Sequence, residues 1–409
     1  MKALILAAGK GTNLYPLTET RPKPMFSICG KPVLEYIIQG LVETGTHDII
    51  MVVGHHGETI KQYFEYGDRF GANIQYIDQE DQGGIGNAVL LAENKFVPGE
   101  YFFLVYSDIL FESNIFAETM KTFRGKLAPV ASITLTPNFY PTYGNVSIDP
   151  HIGITKIETH LDETQAGSHV LAGVFILDYG FLQILKETKG DMQIGFEHLV
   201  DRKGLFGSIF QHEWIDLGYP WNVLDANHFL MKSYKYAKIA RTVKFDGNVT
   251  INGPVQIEDD VVISGNSIIN GPCYIGKGTY IGHNVLVRSN TSIGMNSVIG
   301  YGVELRNCVL FNDVRVGRLS FVGDSVIGEN VEVGSGIMTV NNLMTGDTVH
   351  VKINDEWIDS GLVKLGAFVG DNARIGASNT LAPGTIIPAG AFVPHHVSFS
   401  PEGGSVCVE

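Results

Sequence analysis

The sequence predicts two domains of different class: an α/β domain on a Rossmann-like, mostly parallel sheet, followed by a left-handed parallel β-helix of hexapeptide repeats. Two observations carry this. Short apolar runs ending in glycine or a carboxylate alternate with helical spacing over roughly the first hundred residues, and from residue 251 an apolar residue recurs at every sixth position. The length of 409 residues is itself too great for one ordinary core. The expected division is 1–230 for the α/β domain, 231–248 for a linker and 249–400 for the β-helix.

Ala3-Leu4-Ile5-Leu6 reads as a buried parallel strand, and Val33, Leu34, Ile37, Ile38, Leu41 and Val42 recur at helical spacing. Ile49 to Val53 is again a strand, Glu58 to Tyr66 a helix and Ile74 to Ile77 a strand. Asn87 to Glu93 is a helix, and the strand Tyr101 to Tyr106 delivers Ser107-Asp108 at its end. Repeated β-α-β units place ligands beyond the carboxyl ends of the strands.

Three features fall at such ends. Leu6-Ala7-Ala8-Gly9-Lys10-Gly11-Thr12 is a glycine-rich loop whose backbone N–H groups can approach a phosphate, although it has neither P-loop nor G-x-G-x-x-G spacing. Lys23 stands between two prolines on stiffened backbone, which suits a fixed cation. Asp108 is a carboxylate after an apolar strand, where phosphoryl chemistry places an Mg²⁺ ligand, and Asp216 in Trp214 to Gly218 is a distant partner. Each alone reads equally well as a turn, an exposed lysine or a cap; the combination carries the weight.

Leu6-Ala7-Ala8-Gly9-x-Gly11-Thr12-x-Leu14-x-Pro16-Leu17-Thr18, then Pro22-Lys23-Pro24-Met25 and Gly30-Lys31-Pro32, resembles the signature of sugar-phosphate nucleotidylyltransferases. Val52 to Gly71, with Gln79 and Gly84-Ile85-Gly86, is similar to the long glucose-1-phosphate thymidylyltransferases, and Trp214 to Asn227 to the end of that catalytic domain. The resemblance implies transfer of a nucleotidyl group from dTTP or UTP to a sugar 1-phosphate with release of pyrophosphate. Leu6 to Gly9, Gly11 and Thr12 would hold the triphosphate, while Gln79, Gly84 and Ile85 read the base. Gly144, Glu158 and Gly173 would face the sugar. Asp108 and Asp216 would bind Mg²⁺, and Lys23 would stabilise phosphate charge. Two positions depart from the pattern: Asn13 occupies the place of the family's arginine, and Thr159 that of a lysine.

In the second half the series runs Ile251, Ile257, Ile263, Ile269, Ile275, Ile281, Val287, Ile293, Ile299, Leu305, Phe311. It resumes in shifted registers at Val316 and Val322, at Ile327 and Val333, and from Val369 to Val393. Residues 316–327 and Leu343 to Lys364 are expected to be loops leaving the coil. Helices of this type usually associate about a threefold axis, so a homotrimer or a multiple of it is expected. Arg318-Leu319-Ser320-Phe321 and Asn341-Asn342 resemble the acetyltransfer site of bifunctional enzymes making UDP-N-acetylglucosamine and their archaeal relatives. Arg318 stands there in place of the histidine base and Phe321 in place of a tyrosine.

The net charge of -14 argues against a nucleic-acid partner. Cys29, Cys273, Cys308 and Cys407 form no metal or disulfide framework. No apolar run is long enough for a membrane span and no signal-peptide pattern opens the chain, so a cytoplasmic place is expected. His55-His56 and His395-His396 point apart as neighbours and make poor shared ligands. Lys232, Lys235, Lys238 and Arg241 read as a solvated linker-helix face. Two other classes stay open: a catalytically weakened nucleotide-binding or scaffold protein, and an acetyltransferase acting on an amino sugar phosphate.

Overall fold

The structure, a computed structural model, describes residues 1–80, 83–135, 144–158 and 169–399. Thr159 and Cys407 lie outside the described residues. Contacts divide the chain into two compact units: Met1–Lys10 with Val33–Asp216, and Gly11–Pro32 with the chain from Leu217 onward. The segment 11–32 is therefore grouped with the β-helix, although it stands among the residues read as α/β domain.

The first unit contains β1 (Lys2–Ala7), α1 (Val33–Glu43), β2 (Asp48–Val53), α2 (Gly57–Phe64), β3 (Asn73–Asp78), α3 (Gly84–Leu91) and β4 (Tyr101–Tyr106). These match the alternation expected from sequence. There follow β5 (Ile109–Phe111), α4 (Ile115–Lys126), β6 (Val130–Thr134), β7 (Asn145–Ile148), β8 (Ile154–Glu158) and β9 (His169–Asp178). The unit ends with α5 (Tyr179–Glu187), α6 (Met192–Asp201), β10 (Phe206–Phe210) and β11 (Trp214–Asp216). Among the described residues the main sheet has nine strands in the order β8-β7-β9-β4-β1-β2-β3, with β6 on β9 and β10 on β6. β1 runs parallel to both β2 and β4, whereas β9 is antiparallel to β4, β6 and β7. Near-continuous apolar strands such as Ala3-Leu4-Ile5, all fully buried, follow from a sheet covered on both faces. Helix starts are fixed locally: Asn114 accepts from Phe116 N and Ala117 N at 3.1 Å, and Asp191 from Ile194 N at 3.0 Å.

Besides the segment Gly11–Pro32, the second unit contains α7 (Asn222–Met231), after which the chain coils. Among the described residues three parallel sheets of eight strands each form its faces. Successive coils stack like on like: Ile257↔Ile275↔Ile293 on one face, Ile263↔Ile281↔Ile299 on the next, Ile269↔Val287↔Leu305 on the third. These inward side chains are buried in a single core, each contributing ~1.5–3 kcal/mol. The corners need a left-handed backbone, and asparagine supplies it: Asn284, Asn290 and Asn296, six apart, have φ of 57°, 61° and 55°.

Two expectations are corrected here. The inward place expected of Phe311 belongs to Leu310, which stacks between Ile293 and Ile327. The steps 305→310 and 322→327 are five residues long at one corner, so the coil shortens by one residue without leaving its path. The shift near 316–327 is this shortened corner and not a loop. Leu343 to Lys364 does leave the coil, as the hairpin His350–Ile353 and Glu356–Asp359. Within the stretch read as linker, Lys238–Ile239 and Lys244–Asp246 already pair with the coil above them, so Lys238 lies on a strand and not on a helix face. Among the described residues no helix is long and apolar enough to cross a membrane.

Candidate active site

β1 is the point where strand order reverses, with β2 on one side and β4 on the other, and the crevice beyond their carboxyl ends is the natural ligand site. Leu6 pairs with Tyr106, so Ala7, Ala8, Gly9 and Lys10 leave β1 beside Ser107 and Asp108 leaving β4. Gly54, after β2, lets the loop pass: a Cβ there would lie 2.8 Å from the Ala8 carbonyl oxygen. At Gly9 a Cβ would meet nothing within 4 Å. Among the described residues no atom demands glycine there, which leaves the backbone open to close approach by a ligand.

β5 and β11 form a short antiparallel ladder in which Ile109 pairs with Asp216. Asp108, the residue before Ile109, thus shares one end of the ladder with Asp216. Trp214 Nε1 donates to Ala172 O at 3.1 Å and ties β11 to the main sheet. Burial, reinforced by the neighbouring Asp108 carboxylate, holds the Tyr106 hydroxyl above the usual phenol range. Two carboxylates are the donor set Mg²⁺ takes when phosphates and waters complete its octahedron, so these residues fit that ion. Gly173 (φ 76°) passes close over Tyr106, where a Cβ would lie 3.2 Å from the ring.

Gln79, just past β3, donates from its backbone N to Val53 O at 2.8 Å and from Nε2 to Gly84 O at 3.4 Å. That brings Gln79 to the start of α3, where Ile85 is 49% exposed. An apolar side chain left in solvent beside an amide suits the covering of a planar base. Gly86 has a packing reason, since a Cβ would strike Gly190 O. At the far edge Glu158 pairs with Asn145, so Glu158 and Gly144 share one end of the β7–β8 pair. Glu158 is ion-paired with Lys156 and lines a cavity of ≈ 350 Å³ against Gln193 and Glu197 of α6.

The remaining predicted residues lie in the second unit. Gly11, in the left-handed region at φ 63°, opens a turn over Thr12–Leu14, and Thr18 Oγ1 donates to Gly11 O at 2.9 Å. Lys23 begins the turn Lys23–Met25 and packs close to Gly11. Asn13 Oδ1 accepts from Asn354 Nδ2 at 3.1 Å. Asn354 and Asp355 form the positive-φ turn of the hairpin, a pairing with no sign in the sequence except a turn signal between two alternating runs. Arg21 donates to Asp371 Oδ2 and Glu329 Oε2 at 2.6 and 3.1 Å and lies 4.9 Å from the centre of the Phe311 ring.

On the β-helix, Arg318 is exposed at a corner and Phe321 sits half-buried between Glu304 and Met338. Asn341 is half-buried and its amide is engaged: Nδ2 donates to the buried Asp324 at 2.5 Å, and Asn307 Nδ2 holds the other carboxylate oxygen at 2.7 Å. An always-charged arginine at 318 and a committed amide at 341 leave no general base in this group.

A glycine loop and a strand-end carboxylate flanking the switch point of a doubly wound sheet define a nucleotide-handling α/β protein. The chain belongs to the nucleotidyl transferase family, whose profile matches residues 2–233, and residues 269–358 match the GMPPB C-terminal domain. It is 36% identical over 400 residues, 96% of this chain and 93% of the relative, to "Bifunctional protein GlmU" of Methanococcus maripaludis strain C5. It is 32% identical to a "Bifunctional sugar-1-phosphate nucleotidylyltransferase/acetyltransferase" of Sulfurisphaera tokodaii, with 96% of each chain covered. A solved structure described as a putative glucose-1-phosphate thymidylyltransferase from Bacillus anthracis shares the fold, with TM-score 0.52 and 23% identity over 58% of this chain and 98% of that one.

Proposed function

We propose that the chain transfers a nucleotidyl group from dTTP or UTP to a sugar 1-phosphate and releases pyrophosphate. The observation that carries this is the juxtaposition of β1 and β4, which sets the open glycine loop beside Asp108, with Asp216 at the same ladder end. Bound NTP would lay its phosphates on the loop amides, with the base against Gln79, Gly84 and Ile85. Gly144, Glu158 and Gly173 would meet the sugar. Asp108 and Asp216 would hold Mg²⁺, which supplies neutralising charge for the phosphates. A sugar-phosphate oxygen attacks the α-phosphorus in line; the new P–O bond forms as the bond to the β-phosphate oxygen breaks, and pyrophosphate leaves with that electron pair. The attacking oxygen is already anionic, so no side chain must take a proton. Positioning is the protein's main task. The assignments of Gly11, Thr12, Asn13 and Lys23 to the phosphates rest on the motif.

A pyrophosphate-release assay over a panel of NTPs and sugar 1-phosphates tests the reading. Mg²⁺-dependent release that needs one NTP and one sugar phosphate supports it; release from no pair at saturation overturns it in favour of a binding protein, the reading that Asn13 in place of arginine favours. The β-helix serves association of three copies rather than acetyl transfer, and sedimentation showing a stable monomer at micromolar concentration would contradict the trimer.

A further inference from the structure

The hairpin that leaves the coil is built as a stiff arm. Val349, Val351 and Ile353 are buried along it, and Gly384 of the coil lies so close that a Cβ there would come within 2.8 Å of the His350 carbonyl oxygen. Asn342 bridges to Lys364 where the arm leaves the coil, and Val349 N donates to Leu362 O at 2.8 Å. At the far end Ile353 pairs with Glu356, so Asn354 and Asp355 alone make the turn, with φ of 49° and 66°. A two-residue turn of this hand matches the twist of its strands and holds them in one register. Lys352 Nζ lies 3.1 Å from the Asp355 carboxylate, which draws the charge of the turn back along the arm. Asn354 is the turn residue that reaches the segment after the glycine loop, where its Nδ2 donates to Asn13 Oδ1 at 3.1 Å.

A side-chain amide has two unlike ends: its oxygen only accepts and its nitrogen only donates. With Oδ1 of the exposed Asn13 taken by Asn354, the end that Asn13 offers to a ligand is Nδ2, which carries two N–H bonds. The reversed amide would meet phosphate oxygens with a carbonyl and repel them. We infer that Asn354 is a positioning residue for nucleotidyl transfer: it fixes the Asn13 amide with its N–H bonds toward the triphosphate. Residue 13 then serves as a preorganised donor in the place where a guanidinium is missing. The inference rests on the reading of Asn13 as a neighbour of the phosphates. A donor that is already aimed costs no reorganisation at the moment of reaction, and Asn354 contributes only through Asn13.

A double-mutant cycle on the full-length protein tests this. Asn354→Ala releases the amide and should lower kcat by about threefold to tenfold, the worth of one neutral hydrogen bond, with the KM for sugar phosphate unchanged. Exchanging the turn residues, Asn354→Asp with Asp355→Asn, keeps the net charge, and both residue types suit a left-handed backbone. A carboxylate at 354 can only accept, so it draws the Asn13 N–H bonds to itself, and the loss should exceed that of Asn354→Ala. In an Asn13→Ala background neither change should have a further effect, whereas an arm that merely supports the fold would lose the same factor in both backgrounds. The cycle is also read as affinity for UTP and dTTP by titration calorimetry, which needs no turnover. Absence of pyrophosphate release therefore counts against the proposed reaction alone, and absence of nucleotide binding removes both. Two results overturn the inference by itself: an exchange variant no worse than Asn354→Ala, or losses that persist undiminished when residue 13 is alanine.

Discussion

The Arg21 guanidinium lies 2.6 Å from Asp371 Oδ2, and the two side chains are only 11% and 5% exposed. Residues 350 positions apart thus fasten the segment that follows the glycine loop to the corner just after Phe368–Val369, the seventh strand of its β-helix face, with Glu329 and the Phe311 ring completing the socket. Breaking such a buried pair from one side leaves an uncompensated charge. Asp371→Ala should therefore cost about 3 kcal/mol, the lower end for buried pairs because Glu329 remains. Replacing both partners, Arg21→Met with Asp371→Leu, should cost far less. Urea unfolding of the three proteins checks this; equal losses would show that the charge is not the cause.

Asp108→Asn and Asp216→Asn should each lower Mg²⁺-dependent turnover at least roughly a hundredfold, because a metal-held phosphate charge is worth several kcal/mol. The melting temperature without ligand should hardly move. Mn²⁺ binding followed by electron paramagnetic resonance supplies a second readout, and undiminished binding in both variants would remove these residues from the metal site.

Asn13→Arg should raise kcat at least roughly tenfold. A missing donor to a charged transition state typically costs ~2.7–4 kcal/mol, and an introduced guanidinium recovers only part of it. The change also removes the acceptor of the Asn354 amide, so Asn354→Ala is the matching control. Arg21 is not available as a substitute cation, because Asp371 and Glu329 engage it; Lys10 remains exposed. An unchanged kcat in an already fast enzyme would point to Lys10.

Acetyl-CoA should not be consumed with glucosamine 1-phosphate as acceptor, since position 318 offers no base and Asn341 is engaged with Asp324. Thiol release above the rate of spontaneous hydrolysis, lost on Asn341→Ala, would contradict this.

Cys29, Cys273 and Cys308 are buried, and burial pushes each thiol from its ordinary 9.0 up to about 12. The folded value exceeds the unfolded one, so the protonated thiols favour the fold fully below pH 9, and that contribution fades as pH rises toward 12. The urea midpoint should fall over this interval, and Cys308→Ala should flatten the fall. At pH 8 these three cysteines should resist iodoacetamide until the protein unfolds.

Much of the fold was legible because its periods are strict. Two apolar runs closed by glycine or a carboxylate gave β1 and β4, and the sixfold count found one inward residue per strand from Ile257 to Leu305, while Val261, Cys273, Val285 and Val303, buried in the same core, fall outside it. Phe311 was misplaced because Val309-Leu310-Phe311 is apolar throughout, so either register satisfies the count; only the corner residues, Gly302 then Asn307, mark the five-residue step. The candidate site is drawn from local motifs at strand ends. Arg21–Asp371 and Asn13–Asn354 were not legible, because hydrogen bonds across hundreds of residues leave no period or spacing to read.

Asp371 also sets an order of events during synthesis. At about 5–20 residues per second, a ribosome makes Arg21 roughly 20–70 s before its partner. Through that interval the strands of the first unit can assemble, while the guanidinium stays hydrated and the segment from Gly11 to Pro32 waits for its anchor. A message cut short before codon 371 would therefore yield a chain whose sheet can form but whose segment 11–32 lacks its fastening, a product that cellular proteases should recognise at that segment first.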